Sequence, residues 1–491
     1  MRSNRRRVLK LILPILATVA IVAPLAWLWQ SSRVPASYSV MDMGYPDYGG
    51  GHMQGHDHSH DSPGRSVTDM ITDPARPADV RMDLVTRQET LAVGNRSISG
   101  FTINGTSPGP EIRATHGELI EVHLRNESVP DGVTLHWHGV DVPNAMDGVA
   151  GVTQDAVPPG QEFIYRFVAK QAGTYWYHSH QVSNPQVAGG LLGSLVVTPK
   201  PGITQQVDLS AIAHTYGGVR TINGKADDLG VPARPGERIR VRAINTDNGP
   251  LKIWSSGPYR LLAVDGTDVH QPTEVSGRSV TLTAGARADL EARVPGNGEA
   301  VRIQLSKSTA VIIGPVGADV PAPPQPNTDL DLLTYGSPVP LGFDPATPTR
   351  RFDYLIGRRP GFVKGRPGMW WSINGQLFPN VPMYVVREGD VVDVHIENRS
   401  GEVHPMHLHG HHEVVLARNG VAASGSPWWV DSLNVLPGET YDIAFVANNP
   451  GIWMDHCHNL KHAAQGMIAH LIYEGFDTPY RIPGLADNQP E

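Results

Sequence analysis

The chain carries one cysteine, and it stands between two histidines in Trp453-Met454-Asp455-His456-Cys457-His458, with His462 and Met467 shortly after. A thiolate, a nearby imidazole and a thioether are the ligand types of an electron-transfer copper site. Side chains alternate faces along an extended strand, so His456 and His458 would point to one side, about 6.6 Å apart, and Cys457 to the other. One strand end can then serve two metal sites back to back, a soft copper on the thiolate face and a second copper group on the imidazole face. An isolated His-Cys-His is equally compatible with a buried structural thiol and two surface histidines, so the rest of the chain must decide.

The elements that would carry these residues can be read from an internal repeat. Thr102-Ile103-Asn104-Gly105 is followed by a proline-containing turn and GELIEVHLRNES, Thr221-Ile222-Asn223-Gly224 by GERIRVRAINTD, and Ser372-Ile373-Asn374-Gly375 by GDVVDVHIENRS. Each copy reads as a strand, an Asn-Gly turn, a Gly-acid turn and a strand of strict apolar alternation. Three homologous β-domains account for the 491 residues, too many for one ordinary domain. Their expected extents are 81–200, 201–329 and 330–491, separated by Lys200-Pro201-Gly202 and by the Pro-rich stretch at 321–326. Hydrophobic content of 40% with 52 Gly and 42 Pro, and no long helical periodicity in the body, fits an all-β, turn-rich protein.

The repeats align further. Leu135-His136-Trp137-His138-Gly139 matches Met406-His407-Leu408-His409-Gly410, and the segment ending His178-Ser179-His180 matches the one ending His456-Cys457-His458. The first and third domains thus each place two His-x-His pairs at equivalent positions, whereas the middle domain has Leu251-Lys252-Ile253-Trp254 in that region and none. The spacing from His138 to His178 is 40 residues and from His409 to His456 is 47, as corresponding strands of two sandwiches would give. One such pair is a weak signal, but four at repeat-equivalent positions are a strong one.

With these motifs in hand, together with His404-Pro405-Met406-His407-Leu408-His409-Gly410, the chain resembles a three-domain multicopper oxidase of the laccase and bacterial copper oxidase kind over about residues 81–475. The resemblance implies three tandem cupredoxin-like Greek-key β-sandwiches and four coppers. It implies that Cys457, His404 and His462 bind a type 1 copper with Met467 as weak axial ligand, and that His136 and His407 hold a type 2 copper. It further implies that His138, His178, His180, His409, His456 and His458 hold a binuclear type 3 pair, where dioxygen is reduced to two waters after four one-electron transfers. Cys457 is bonded through main chain to both His456 and His458, a short covalent route for electrons.

In similar proteins an acid after the first His-x-His relays protons, and Asp147 in Asn144-Ala145-Met146-Asp147-Gly148 occupies that place. A second acid commonly follows the histidine that is His462 here, but this chain has Ala463, which puts that route in doubt. Asp455 is another departure, sharing by parity the face of Cys457; a surface acid capping a backbone amide is the plainer reading. His411 and His412 read as satisfied histidines, the pairs Trp370-Trp371 and Trp428-Trp429 as packing, and His116, His123, His214, His270, His395 and His470 have no evident partner in the sequence.

The N-terminus sets a basic cluster before an apolar run at 11–29, long enough to just span a bilayer or to form the core of an export signal. Arg5-Arg6-Arg7-Val8-Leu9-Lys10 resembles the twin-arginine export signal, and no clear small-residue cleavage site follows Trp29, so residues 1–80 read as signal or membrane anchor plus linker, with the body in the periplasm or cell envelope. Residues 41–60 are Gly-rich and polar and carry Met41, Met43, His52, Met53, His56, His58 and His60, which suits a disordered copper-binding tether or an inert one. The net charge of -8 lies without long runs of one sign and excludes a nucleic-acid partner, and a single Cys excludes a disulfide framework.

Two enzymatic readings follow. Cu(I) oxidation in copper resistance ranks first, supported by export and the Met/His-rich stretch, though the third domain lacks a Met-rich insertion. Laccase-like oxidation of phenols and aromatic amines ranks second and needs only an open pocket near His462. A non-enzymatic copper-binding envelope protein is a remote third, because none of the ten histidines, the cysteine or the axial methionine is missing.

Overall fold

Strict alternation in the repeat strands builds sandwiches. In Val391–Asn398, Val392, Val394 and Ile396 turn inward while His395 faces solvent, and a sheet with one apolar face is stable only when that face is covered by another. A computed structural model of the chain, which describes the backbone of residues 2–51 and 64–491 and side chains from residue 12 onward within them, contains three such sandwiches. The first packs the sheet Arg96–Ile103, Val80–Val93, Leu119–Asn126, Glu162–Val168 on the sheet Ile112–Thr115, Leu192–Thr198, Gly173–His178, His136–His138. In the third, a sheet built around Arg350–Val363, Val391–Asn398 and Thr440–Val446 faces one that runs Pro382–Val386, Ile468–Tyr473, Ile452–Cys457, His404–Leu408, Ser432–Val435. Each domain, the middle one included, has its own apolar core. The fold is all-β and cupredoxin-like.

The Asn-Gly turns recur with one geometry. Asn104, Asn223 and Asn374 adopt φ of 54°, 50° and 51°, each followed by a glycine at 74° to 79°, the pair of positive angles that a type I′ hairpin demands. Each asparagine side chain also clamps the neighbouring strand: Asn104 accepts from the Val85 N–H and donates to the Asp83 carbonyl, and Asn374 does the same with Leu355 and Asp353.

The ends of the chain depart from expectation. Residues 41–51 are not a free tether: Tyr45–Asp47 pairs in parallel with Pro382–Val386, and Val40 and Met43 are buried in the core of the third domain. Apolar side chains at 38, 40 and 43 give this stretch surface to bury, which outweighs its glycines. His52, Met53, His56, His58 and His60 lie outside the described residues. Helix Arg2–Gln30 projects from the body and meets it at its C-terminal end, where Trp27 and Trp29 approach Arg359 and Phe362, and its 19-residue apolar stretch Ile12–Gln30 is otherwise unburied by protein. At the other end, residues beyond Tyr480 cross to the first domain, where the Asn488 side chain accepts from the Ala156 N–H and the Gln489 N–H donates to Gln181.

Candidate metal centre

The motif strands pair in the same way in two domains. His136–His138 runs antiparallel to Gly173–His178 with His136 opposite His178; His404–Leu408 runs antiparallel to Ile452–Cys457 with His407 opposite His456. Asn144 locks the two domains together, exchanging two hydrogen bonds with the main chain of Ile452 at 2.8 and 3.1 Å. All eight histidines of the His-x-His pairs are 0 or 1% exposed.

Their ring nitrogens converge in three groups, each within 4.8 Å: His138 with His178 and His458, His180 with His409 and His456, and His136 with His138 and His407. His136 Nε2 faces His407 Nε2 at 3.4 Å, and His409 Nε2 faces His456 Nε2 at 3.2 Å. On the opposite face of the same strand, Cys457 Sγ lies 3.5 Å from His404 Nδ1 and 3.7 Å from His462 Nδ1, which are 3.3 Å apart. Met467 is fully buried beside them, its carbonyl accepting the Cys457 N–H at 3.1 Å.

Outer partners orient these rings. Asp147, 1% exposed, takes the Nδ1–H of both His136 and His409 at 3.1 Å, which turns their Nε2 lone pairs to the centre. The Asp431 carbonyl holds His407 Nδ1 at 2.6 Å, while its carboxylate and the Ser432 hydroxyl hold His138 by Nε2 at 3.1 and 3.0 Å, so that ring presents Nδ1 instead. Ser400 holds His404 Nε2 at 2.8 Å. Where the resemblance expects an acid, Ala463 is buried; a third carboxylate, beside those of Asp147 and Asp431, approaches the cluster from Glu491, with Oε1 2.9 Å from His456 Nδ1.

Sequence reasoning missed Asp431 and what secures it. Arg287 of the middle domain, wholly buried, donates to both Asp431 oxygens at 2.6 Å and to the Thr174 carbonyl at 3.0 Å. Nothing in the sequence sets Arg287 apart, because the strand Arg287–Arg293 alternates charged and apolar residues and only the fold buries Arg287 and Asp289 while Glu291 and Arg293 lie nearer solvent. Gly285 lets the middle domain approach, since a Cβ there would sit 2.8 Å from His138 and 3.1 Å from His458. Trp371 is more than packing: it lies against His462 and His404 at 4.3 and 4.8 Å between ring centroids, with Arg358 4.2 Å above it. Asp455 is no surface acid; it lines a cavity of about 40 Å³ in the third core with Glu413 and Tyr354, and burial pushes it up to about 7. His411 is satisfied, by the His409 carbonyl and the Tyr473 hydroxyl.

The donor set fits copper. His138 Nδ1, His178 Nε2, His180 Nε2 and both nitrogens of His458 are buried with no hydrogen-bond partner, each a cost of about 1–3 kcal/mol that native folds rarely keep without a ligand. Burial chiefly pulls His180, His404 and His456 down to about 3, against the opposing pull of Glu491 on His180, so they are neutral and able to coordinate at neutral pH. Burial pushes the Cys457 thiol up, a preference that a bound metal reverses.

These shifts carry a sign. Below the unfolded histidine value of about 6.5 the unfolded chain binds more protons than the folded one, so stability falls as pH drops from there toward about 3. The urea midpoint of the copper-free protein is expected to fall steeply between pH 6.5 and 4 and to be recovered by copper; a midpoint flat across that window would contradict the buried, neutral cluster.

Comparison with known proteins agrees with this geometry. Residues 85–202 and 345–475 match two family models, each described as multicopper oxidase. The multicopper oxidase MmcO of Mycobacterium tuberculosis is 28% identical over 84% of this chain and 88% of its own. Laccase-1 of Botryotinia fuckeliana is 26% identical over 79% and 81%. The crystal structure of a multi-copper oxidase from Pseudomonas thermotolerans superposes with a TM-score of 0.65 at 27% identity, covering 81% of this chain and all of that one. With the motif strands paired as they are and the family models spanning both copper-type domains, this chain belongs to the multicopper oxidase family.

Proposed function

We propose that the chain oxidises small phenols and aromatic amines outside the cytoplasm, taking their electrons at the edge of His462 and delivering them to dioxygen. In this reading Cys457, His404, His462 and Met467 hold a type 1 copper, His136 and His407 a type 2 copper, and His138, His178, His180, His409, His456 and His458 the type 3 pair. Bound copper supplies reversible one-electron storage and open positions for dioxygen.

The observation that carries the reading is the outlet. Among these side chains His462 alone reaches solvent, at 7% exposure against 0 or 1% for the others, and it opens on a depression of about 320 Å³ lined by Glu402, Asn459, Asn248 and Pro405. Loss of an electron from a phenol releases a proton, and the Glu402 carboxylate 3.5 Å from His462 Nε2 is placed to accept it. Carboxylate and amide oxygens are hard donors that suit an organic hydroxyl better than Cu(I), which favours thioethers. Inward, Cys457 is one peptide from His456 and one from His458. Asp147 both orients His136 and His409 and carries protons toward the oxygen side.

A second reading, Cu(I) oxidation in copper tolerance, is favoured by the Met/His-rich stretch at 41–60. Oxygen uptake with 2,6-dimethoxyphenol and with Cu(I) separates the two. The phenol is expected to turn over faster, and Glu402→Gln to slow it selectively; fast Cu(I) oxidation with an inert phenol would reverse the order. Asp147→Asn is expected to slow oxygen uptake about 10–100-fold, as loss of an outer hydrogen-bond partner typically does, while the visible absorption of the Cys457 site persists. An unchanged rate would remove Asp147 from the mechanism.

The body is held at the membrane by Ile12–Gln30, whose 19 residues span about 28 Å as a helix. The basic residues at 2, 5, 6, 7 and 10 keep its N-terminus cytoplasmic and the copper domains outside.

A further inference from the structure

The end of the N-terminal helix is docked on the third domain. Trp29 packs edge-on against Phe362 at 5.1 Å, the Ser32 hydroxyl accepts the Phe362 N–H at 3.1 Å, and Asn380 donates to the Ser31 carbonyl at 2.8 Å. The tip of the hairpin formed by Arg350–Val363 and Arg366–Ile373 therefore lies where the apolar span ends. That tip exposes Lys364, Arg366 and Met369, cations and an apolar side chain suited to a headgroup layer.

Between the helix end and the body opens a mostly apolar cavity of about 550 Å³, within the usual range for small-molecule pockets. Its lining runs from Trp29, Val34 and Phe362 to Ala463 and Gly466, in the loop that joins His462 to Met467. It includes His470, 2% exposed, with both ring nitrogens buried and without a partner.

We propose that this cavity takes the ring of a membrane-soluble hydroquinone, drawn from the bilayer beside the helix, as an electron donor distinct from those that reach His462 through the polar depression. A lipid-borne ring suits it because the opening lies at the end of the span and the walls are mostly apolar, with Arg33, Lys364, Asp487 and Glu491 among the polar exceptions, while His470 offers a buried acceptor for one hydroquinone hydroxyl. Burial draws His470 down to about 4, so it is a neutral acceptor at neutral pH. Each hydroquinone gives up two electrons and two protons and leaves as the quinone. Two of them supply the four electrons and four protons that convert one dioxygen to two waters. The inference rests on the oxidase reading above and on the helix remaining attached, and not on the polar outlet at His462.

The test uses the full chain in liposomes. The copper-loaded protein is assayed with a decyl-benzohydroquinone in the bilayer and with 2,6-dimethoxyphenol in water, and the copper-free protein is titrated with the radiolabelled quinone. Oxidation of both donors and saturable quinone binding above that of empty liposomes are expected. Val34→Trp, which fills the cavity near the helix, should cut hydroquinone oxidation about tenfold or more, a loss of at least about one decade in apparent affinity or rate, and leave the soluble phenol rate unchanged. Hydroquinone oxidation that survives Val34→Trp, or quinone binding no greater than in empty liposomes, overturns the proposal. If Val34→Trp loses both activities, saturable binding to the unsubstituted chain upholds the proposal and its absence ends it. A chain that leaves the soluble phenol untouched but still binds and oxidises the hydroquinone fails the phenolic reading at His462 and keeps this one.

Discussion

Replacing Cys457 with serine is expected to reduce donor oxidation to background and to cost one copper per chain, with the type 2 paramagnetic signal retained. The substitution is nearly isosteric in a site buried to 0%, so packing is little disturbed and the effect reports chemistry. Cys457 Sγ completes a group with His404 and His462 at 3.3 to 3.7 Å, and a serine hydroxyl is a hard, scarcely ionised replacement for a thiolate. The histidine groups on the opposite face keep their ligands and their outer partners. Loss of the intense visible absorption together with donor turnover is the expected outcome, and retention of either would show that electrons enter elsewhere. If the copper count fell further, His456 and His458 would depend on the thiolate for their own placement.

Arg287→Met is expected to have the largest effect on stability, although Arg287 touches no metal-binding side chain. Its guanidinium is the fork that neutralises Asp431, with Asp265 also 3.5 Å away. Asp265 is already pushed up to about 7, by burial first and then by Asp431, and the Arg287 charge offsets that pair together with the main-chain N–H groups of Arg287 and Asp431. Removing one partner of a buried ion pair typically costs about 3–5 kcal/mol, because the other charge is stranded. Asp431 in turn holds His138 and His407, so copper retention should fall about 10–100-fold as well. The urea midpoint of the copper-free protein reads the first effect, and copper left after dialysis against a chelator reads the second. Arg287→Lys should recover part of the stability but less of the copper retention, since an ammonium lacks the two-pronged fit. A variant with wild-type copper retention would reduce Arg287 to a domain-packing residue.

Much of this was legible along the chain because it is local or repeated. Strand parity alone separates Cys457 from His456 and His458, since the period of two is a property of extended backbone. The Asn-Gly turns at 104, 223 and 374 announce three copies of one unit because few residues tolerate the paired positive φ. Histidines at equivalent places in two copies then point to a shared cluster, although they lie as far apart in sequence as His136 and His458.

Other features have no local signature. Packing of residues 40–47 onto the third domain depends on an open sheet edge at Pro382–Val386, which composition cannot reveal. The position of Glu491 beside His456 depends on a tail that crosses between domains. The placement of Trp371 against His462 depends on how a hairpin folds over the segment from His462 to Met467.

The sequence by itself determined the ligand types, their division between two faces of one strand, and the threefold β architecture, because these follow from covalent order and backbone period. Only the tertiary structure decided what holds the ligands and what can reach them: the carboxylates of Asp147 and Asp431, the Arg287 clamp from a domain with no ligands, the polar depression at His462 and the apolar cavity beneath the helix. Each of these arises where segments distant in sequence are brought together, the carboxylates and the arginine in a water-poor interior and the depression at its surface, and there a single charge or cavity wall is set by its neighbours in space.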